Sequence, residues 1–195
     1  MQLEQMCPCC GGMPGDEFEF QAFLDAPPRE HPLTDADILW YKVPAGRWIA
    51  TLPNYPHRQL AQVNPPNDAA VTITATTLLN CQGIRAAIPW TESTKENLRL
   101  VQNGIAKVVD EKLILPGVRN SCHKNVAFYF VSTPNDFRIA SGFALTIDGM
   151  WQSHSWLVDS AGLIIETTVP RVSYYGSVLD KKGSYAFARN EGMVG

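Results

Sequence analysis

Proline placement constrains this chain more than any other sequence feature. Ten of its fourteen prolines lie in the first seventy residues: Pro8, Pro14, Pro27, Pro28, Pro32, Pro44, Pro53, Pro56, Pro65 and Pro66. Because proline lacks a backbone N–H and fixes φ, this part cannot contain long helices or central strands. We predict a loop-rich N-terminal layer over residues 1–90, in which the apolar runs 38–41 and 48–52 form edge strands.

One segment of this layer is ambiguous. Residues 69–79 read AAVTITATTLL, and the Val, Ile and Thr content favours a strand. The alanines leave a helix open as the alternative.

From residue 91 to residue 195 the periodicities become regular, and we predict an α+β core that belongs to the same domain as the N-terminal layer. Ser93 and Glu96 have capping-box spacing. Apolar residues at helical spacing follow, which predicts a helix of about five turns that ends near Lys112. Pro116-Gly117 then breaks the chain.

A second helix and three strands are predicted beyond this break. The helix begins at Cys122, with Asn120 or Ser121 as its cap. A turn at 133–136 follows, and the alternating segments 138–147, 151–159 and 163–168 predict three sequential antiparallel strands. The predicted core is therefore a helix pair followed by a β-meander.

Charge and hydropathy argue against two classes of partner. The net charge is −3, and no stretch concentrates Lys or Arg, so we expect no nucleic-acid surface. The chain has no apolar run of membrane-spanning length, and its first ten residues lack the features of an export signal. We therefore expect a cytoplasmic protein that does not bind membranes.

The five cysteines form no disulfide framework, because their number is odd and three of them fall within residues 7–10. Cys7 and Cys10 have C-x-x-C spacing before a glycine, as in half of a zinc knuckle at 7–11. Four ligands are needed, so completing the site would take some of Cys9, His31, His57 and Cys81. The alternative is a thiol-rich terminus or a small packed turn without metal.

Cys122 is the candidate nucleophile, because a helix N-terminus favours the thiolate form. His123 lies about a quarter-turn further along the same helix, whereas His154 lies in a predicted strand and can face the sulfur. Glu166 is the candidate orienting acid. An odd number of residues in the loop before it puts it on the same face as His154, and an even number would put it on the other face.

Each of these residues has a structural alternative. A cysteine in an amphipathic helix and a histidine beside tryptophans are often core residues. Trp151 and Trp156 are expected to be core or pocket-wall residues, and Tyr174 and Tyr175 are candidates for lining a substrate cleft.

The motifs Asn120-Ser-Cys122-His, His154-Ser-Trp156 and Glu166-Thr-Thr168 resemble the papain-like fold in its transglutaminase-like branch, whose pattern is Cys, then His-Ala-Trp, then Asp-Pro-Thr. The resemblance covers about residues 115–180 and implies a nucleophile helix packed on an antiparallel β-meander. It implies that Cys122 is the nucleophile, His154 the general base and Glu166, in place of aspartate, the orienting acid. Asn120 or Gln102 would assist the backbone N–H of Cys122 as oxyanion donors.

Three functional hypotheses follow. The first is a cysteine hydrolase or acyltransferase without an organic cofactor, acting on an amide in a peptide, an isopeptide, a peptidoglycan cross-link or a glutamine side chain. The second is a non-catalytic viral or bacterial interaction protein on a degenerate scaffold of this kind. The third is a binding module stabilised by zinc at the N-terminal cysteines.

Overall fold

The computed structural model describes residues 31–43, 46–56, 60–89, 94–108 and 113–194. Ten strands and four α-helices lie within these residues, which confirms the predicted α+β class. None of the helices described is both long and apolar enough to cross a membrane.

The chain divides into two compact units, each of which is made of two stretches of sequence. Unit 1 contains residues 1–104 and 145–152, and unit 2 contains residues 105–144 and 153–195.

Within its described residues, unit 1 contains a short 3-10 turn followed by four strands and two helices. In chain order these are β1 (Leu39–Val43), β2 (Arg47–Thr51), β3 (Gln62–Val63), α1 (Ala69–Cys81), β4 (Arg85–Pro89) and α2 (Thr94–Asn103). The strands are ordered β3-β1-β2-β4, and residues 150–152 run parallel to β4.

The prediction of edge strands was wrong, because β1 and β2 each have a neighbour on both sides. β1 pairs with β3 and β2, and β2 pairs with β1 and β4. Proline does not prevent this, because neither β1 nor β2 contains a proline, so every strand residue keeps its backbone N–H.

The strand prediction for residues 69–79 was also wrong, because they form most of α1. Asp68 caps this helix by accepting a hydrogen bond from Ala70 N at 2.9 Å. Four threonine hydroxyls donate to carbonyls four residues earlier, which satisfies them within the helix. The alternative that rested on the alanines is the correct one.

Unit 2 contains most of the predicted core. Its elements are β5 (Ile105–Val108), β6 (Leu113–Ile114), α3 (Cys122–Ser132), β7 (Phe137–Leu145), β8 (Met150–Asp159), β9 (Ile164–Glu166), β10 (Ser173–Val178) and α4 (Lys181–Asn190). Leu145 and the first three residues of β8 belong to unit 1. The order β8-β7-β10-β5 describes the strands of unit 2, with β9 paired to β8 and β6 paired to β9.

The long first helix was predicted incorrectly, because α2 ends at Asn103 and the apolar residues beyond Gly104 form β5. β5 pairs antiparallel with β10, and these sheet hydrogen bonds override a periodicity that suits a helix. Ser93 of the predicted capping box lies outside the described residues.

The helix at Cys122, the turn at 133–136 and the three strands after it are confirmed. β10 and α4 were not predicted. Gly176 interrupts the apolar pattern of β10 for a packing reason, because a Cβ there would meet Ser141 O and the ring of Trp156.

Two apolar clusters lie on opposite faces of β7 and β8, as side-chain alternation requires. The first joins α3 and α4 to the sheet and contains Val126, Ala127, Phe130, Ile139, Leu157, Ile165 and Ala188. The second contains Ala140, Ala144, Trp156, Val158, Ile164 and Tyr174. We call the first face the helix face and the second the tyrosine face.

Candidate active site

A histidine–carboxylate pair lies on the tyrosine face of unit 2. His154 Nε2 lies 2.9 Å from Glu166 Oε2, and both residues are 0% exposed. β8 and β9 pair with Leu157 opposite Ile165, and Asp159 bonds Leu163 across a three-residue loop. The loop has the odd length that places Glu166 on the same face as His154.

Glu166 accepts four further hydrogen bonds. Oε1 accepts from the backbone N–H groups of Thr167 and Thr168, each at 2.9 Å, and from the Thr168 hydroxyl at 2.8 Å. Oε2 accepts from the Tyr174 hydroxyl at 2.9 Å. The carboxylate is thus solvated by the protein instead of by water.

Charge balance keeps this carboxylate ionised. Burial alone would raise the pKa of Glu166. The hydrogen bond and charge of His154, the Thr168 hydroxyl and the Arg171 guanidinium outweigh burial and lower this pKa from 4.5 to about 2. Glu166 is therefore a hydrogen-bond acceptor only, at neutral pH.

The ionised carboxylate fixes the proton arrangement of the imidazole. Because Glu166 only accepts, Nε2 of His154 must carry the proton of this hydrogen bond. In the neutral ring the lone pair then lies on Nδ1, which is buried. Nδ1 is the nitrogen that can act as a base.

Two aromatic residues pack around the pair. The ring of Trp156 is nearly parallel to that of His154, at 18° with centroids 6.3 Å apart, and lies 4.9 Å from the ring of Tyr174. Burial, then the charge and hydrogen bond of Glu166, raise the pKa of Tyr174 far above its ordinary value. The phenol stays a donor throughout the working pH range.

Cys122 is the first residue of α3 and is 1% exposed. Ser121 is the N-cap, but its side chain makes no capping hydrogen bond. Asn120 precedes it with φ at 61° and is exposed. The thiol therefore lies at the positive end of the α3 dipole.

Two side chains of α3 connect the start of this helix to the strands of the pair. His123 Nδ1 lies 2.7 Å from Ser155 Oγ, which in turn lies 3.3 Å from Ser141 Oγ. Asn125 Nδ2 donates to Val118 O and to Thr167 O, and Asn125 Oδ1 accepts from Val118 N. These bonds hold α3 against Ser155 of β8 and against the turn after Glu166.

Side-chain alternation sorts these contacts by face. Ser155 bonds a side chain of α3 and so lies on the helix face, whereas His154 lies with Trp156 on the tyrosine face. The bonds described here thus join α3 to Ser155, whereas alternation turns the His154 imidazole to the face opposite α3.

The other predicted site residues belong to both units. Trp151 is buried in unit 1, where Nε1 donates to Gln82 O at 2.5 Å, and Gln102 is an exposed residue of α2 in unit 1. Tyr175 is buried in β10 beside Tyr174.

The zinc hypothesis falls mainly on residues that the structure does not describe. Cys7, Cys9 and Cys10 lie outside the described residues, as does His57. Within the described ranges, no group of three or more His, Cys, Asp or Glu side chains is arranged to hold a metal ion. Cys81 is a free, exposed cysteine at the end of α1.

Sequence reasoning missed the contacts that Tyr174, Arg171, Asn125 and Ser155 make around the pair. Tyr174 was singled out only as a cleft residue, because β10 was not predicted and its position beside β7 was therefore unknown. The face of Ser155 could have been predicted from the sequence, because it follows His154 in a strand and must point to the opposite face.

Comparisons of the chain with protein-family models, with curated proteins and with solved structures find no match.

Proposed function

We propose that the chain is a cysteine-dependent hydrolase or acyltransferase that acts on an amide bond. Cys122 is the nucleophile, His154 the general base and Glu166 the acid that orients the imidazole. The hydrogen bond between His154 and Glu166 carries this proposal, since it holds a base with its lone pair on Nδ1 next to a carboxylate that stays charged.

The proposed chemistry runs in two steps. The first step requires His154 Nδ1 and Cys122 Sγ to come within hydrogen-bond distance, which calls for a change from the strict alternation along β8. Nδ1 then takes the thiol proton, and Cys122 Sγ attacks the amide carbonyl to form a tetrahedral intermediate. The imidazolium returns the proton to the leaving nitrogen as the C–N bond breaks, which leaves an acyl group on Sγ. Water or an amine then takes the acyl group, with His154 again as the base.

The start of α3 supports this assignment. A thiolate at a helix N-terminus is stabilised by the dipole and by backbone N–H groups of the first turn. The same N–H groups provide donors for the developing oxyanion, and the N–H of Cys122 is the first of them. Asn120 is the proposed side-chain donor in unit 2, because it directly precedes the N-cap.

The papain-like, transglutaminase-like scaffold is part of the proposal. It is supported by the chain order of a helix that begins at a cysteine, a strand with His154 and a returning strand that ends at Glu166. The substrate class is a peptide or protein amide.

The test compares the alkylation of two cysteines in one chain. Cys122 and the exposed Cys81 are both free, so iodoacetamide modification of each can be followed by mass spectrometry between pH 5 and pH 9, as a range of about four pH units around thiol ionisation. We expect the Cys122 rate to persist well below the ordinary thiol pKa of about 8.5, while the Cys81 rate falls. Burial raises the pKa of the Cys81 thiol, so the comparison in His154→Ala is made for Cys122 itself, whose rate should return to an ordinary thiol profile.

His31→Ala is the matched control, because it removes an exposed imidazole of unit 1 and leaves both the pair with Glu166 and the His123–Ser155 bond intact. Its Cys122 profile should resemble that of the parent. An ordinary Cys122 profile in the parent, or equal effects of the two histidine variants, would contradict the enzyme proposal. An activated acyl ester that modifies Cys122 and is then released would show turnover directly.

A second candidate is a non-catalytic interaction protein, and burial favours it. Cys122 is 1% exposed, and His154 and Glu166 are 0% exposed, so the three groups are covered. In this alternative the pair is a structural element that is satisfied internally. A folded parent in which Cys81 is alkylated and Cys122 stays unreactive at every pH would select this function.

A further inference from the structure

Three residues share the carboxylate of Glu166 with His154, and one of them binds the same oxygen. The Tyr174 hydroxyl and His154 Nε2 each lie 2.9 Å from Oε2, whereas the threonine donors use Oε1. Tyr174 is thus the group that competes with the imidazole for the electron density of one atom.

We infer that Tyr174 is a positioning residue that sets the basicity of His154 by sharing Oε2 of Glu166. This inference rests on the proposed function for its catalytic meaning. It does not assign Tyr174 a contact with substrate.

The physical argument concerns charge on Oε2. A hydrogen bond from a phenol withdraws negative charge from the carboxylate oxygen, which weakens the stabilisation of a protonated imidazole beside it. Without the phenol, Oε2 holds more charge and favours imidazolium. Tyr174 therefore shifts the balance of His154 towards the neutral form, which is the form that takes a proton from a thiol.

The surroundings make the phenol effective. Tyr174 and Glu166 are both buried, so the bond acts in a low-dielectric environment where it is stronger than in water. The groups that face Glu166 are His154 from β8, Tyr174 from β10, Thr168 and the Arg171 guanidinium from the segment between β9 and β10. Among these groups, Tyr174 is the one that combines a neutral donor with the oxygen that His154 uses.

The direct test follows the imidazole titration of His154 by NMR. The chain has four histidines, and the His154 signal is identified by its loss in His154→Gln. In Tyr174→Phe we expect the titration midpoint of His154 to rise by about one pH unit, which is about a tenfold change in proton affinity. Replacement of Tyr174 by 3,5-difluorotyrosine strengthens the donor and should lower the midpoint.

Opposite shifts in the two variants distinguish this role from a packing role, because a packing defect would not change sign with donor strength. Tyr185→Phe is the matched control, since it removes a phenol hydroxyl from α4 in the same unit and should leave the midpoint unchanged. Unchanged midpoints in folded Tyr174 variants, or shifts in the same direction, overturn the inference.

The alkylation profile of Cys122 separates this inference from the proposed function. If both hold, the acid limb of the profile moves with the His154 midpoint in each variant. If the midpoints shift in opposite directions while Cys122 alkylation stays ordinary in the parent, the proposed function is wrong and the control of His154 by Tyr174 stands.

Discussion

Ser155 Oγ and His123 Nδ1 lie 2.7 Å apart, and this contact joins the residue after His154 to the residue after Cys122. It is local in space but spans 32 positions of the sequence. The two elements that supply the candidate nucleophile and base are therefore held in register by their neighbours.

This contact predicts a measurable coupling energy. In a double-mutant cycle of His123→Ala and Ser155→Ala, we expect a coupling of about 1 kcal/mol in the free energy of unfolding. Either single variant already removes this partly buried hydrogen bond, so the double variant should be less destabilised than the sum of the two. The cycle of Lys181→Ala and Asn135→Ala, which removes an exposed hydrogen bond, should give a much smaller value. Urea denaturation measures both, and equal couplings would contradict the prediction.

Glu166 predicts a specific acid sensitivity. Its pKa is lowered from 4.5 to about 2 in the folded chain, so its stabilisation is fully present above pH 4.5 and is lost as the pH falls through about 2. The shift corresponds to about 3 kcal/mol of unfolding free energy. Urea unfolding between pH 7 and pH 3 should show a steeper loss in the parent than in Glu166→Gln, as a difference of about 1–3 kcal/mol.

The control for this measurement is Asp136→Asn, which neutralises an exposed carboxyl in unit 2. Its stability should follow the parent over the whole pH range. A parent and a Glu166→Gln variant that lose stability in parallel would show that the carboxylate is not held in its charged form.

Truncation of the Asn125 side chain is predicted to lower the free energy of unfolding substantially. Asn125→Ala removes three hydrogen bonds and leaves Val118 N, Val118 O and Thr167 O in place. We expect a loss of about 2–3 kcal/mol in unfolding free energy, because the buried Thr167 O and the part-buried N–H and C=O of Val118 then lose this partner. Asn135→Ala, at an exposed position, should change stability by less than about 0.5 kcal/mol. A comparable effect of the two variants would disprove this role of Asn125.

A side chain at Gly117 is predicted to clash with the groups that Asn125 joins. A Cβ at Gly117 would overlap Thr167 O and the Asn125 amide, so Gly117→Ala should cost about 1–3 kcal/mol. Gly162 has φ at 84° and open space around the position that a Cβ would take, so Gly162→Ala should cost only the conformational penalty of about 1 kcal/mol. The difference in urea midpoint tests this order, and a larger shift for Gly162→Ala would reverse it.

The local patterns of unit 2 predict much of what surrounds the site. Alternation defines β7, β8 and β9, and the odd loop between Asp159 and Leu163 assigns the face of Glu166. These features depend only on neighbouring residues, which is why the sequence is sufficient for them.

The rest depends on pairings that the sequence does not encode locally. β5 continues a helical periodicity and becomes a strand only because β10 is available to pair with it. Threonines favour strands, yet α1 forms because Asp68 caps it and the hydroxyls bond back to its own carbonyls. The contact of Tyr174 with Glu166 requires the strand order β9-β8-β7-β10, which follows from no single segment.

The path of β8 has a practical consequence for dissecting this chain. Residues 145–152 interrupt unit 2 in sequence but belong to unit 1, where Trp151 donates to Gln82 O. A fragment that begins at residue 105 would contain residues 145–152 but not the rest of unit 1, against which they pack. Leu145, Met150 and Trp151 are buried in the whole chain and would be exposed to water in this fragment. No single cut yields unit 2 alone, so a clean excision requires a short linker in place of the hairpin as well as a new N-terminus.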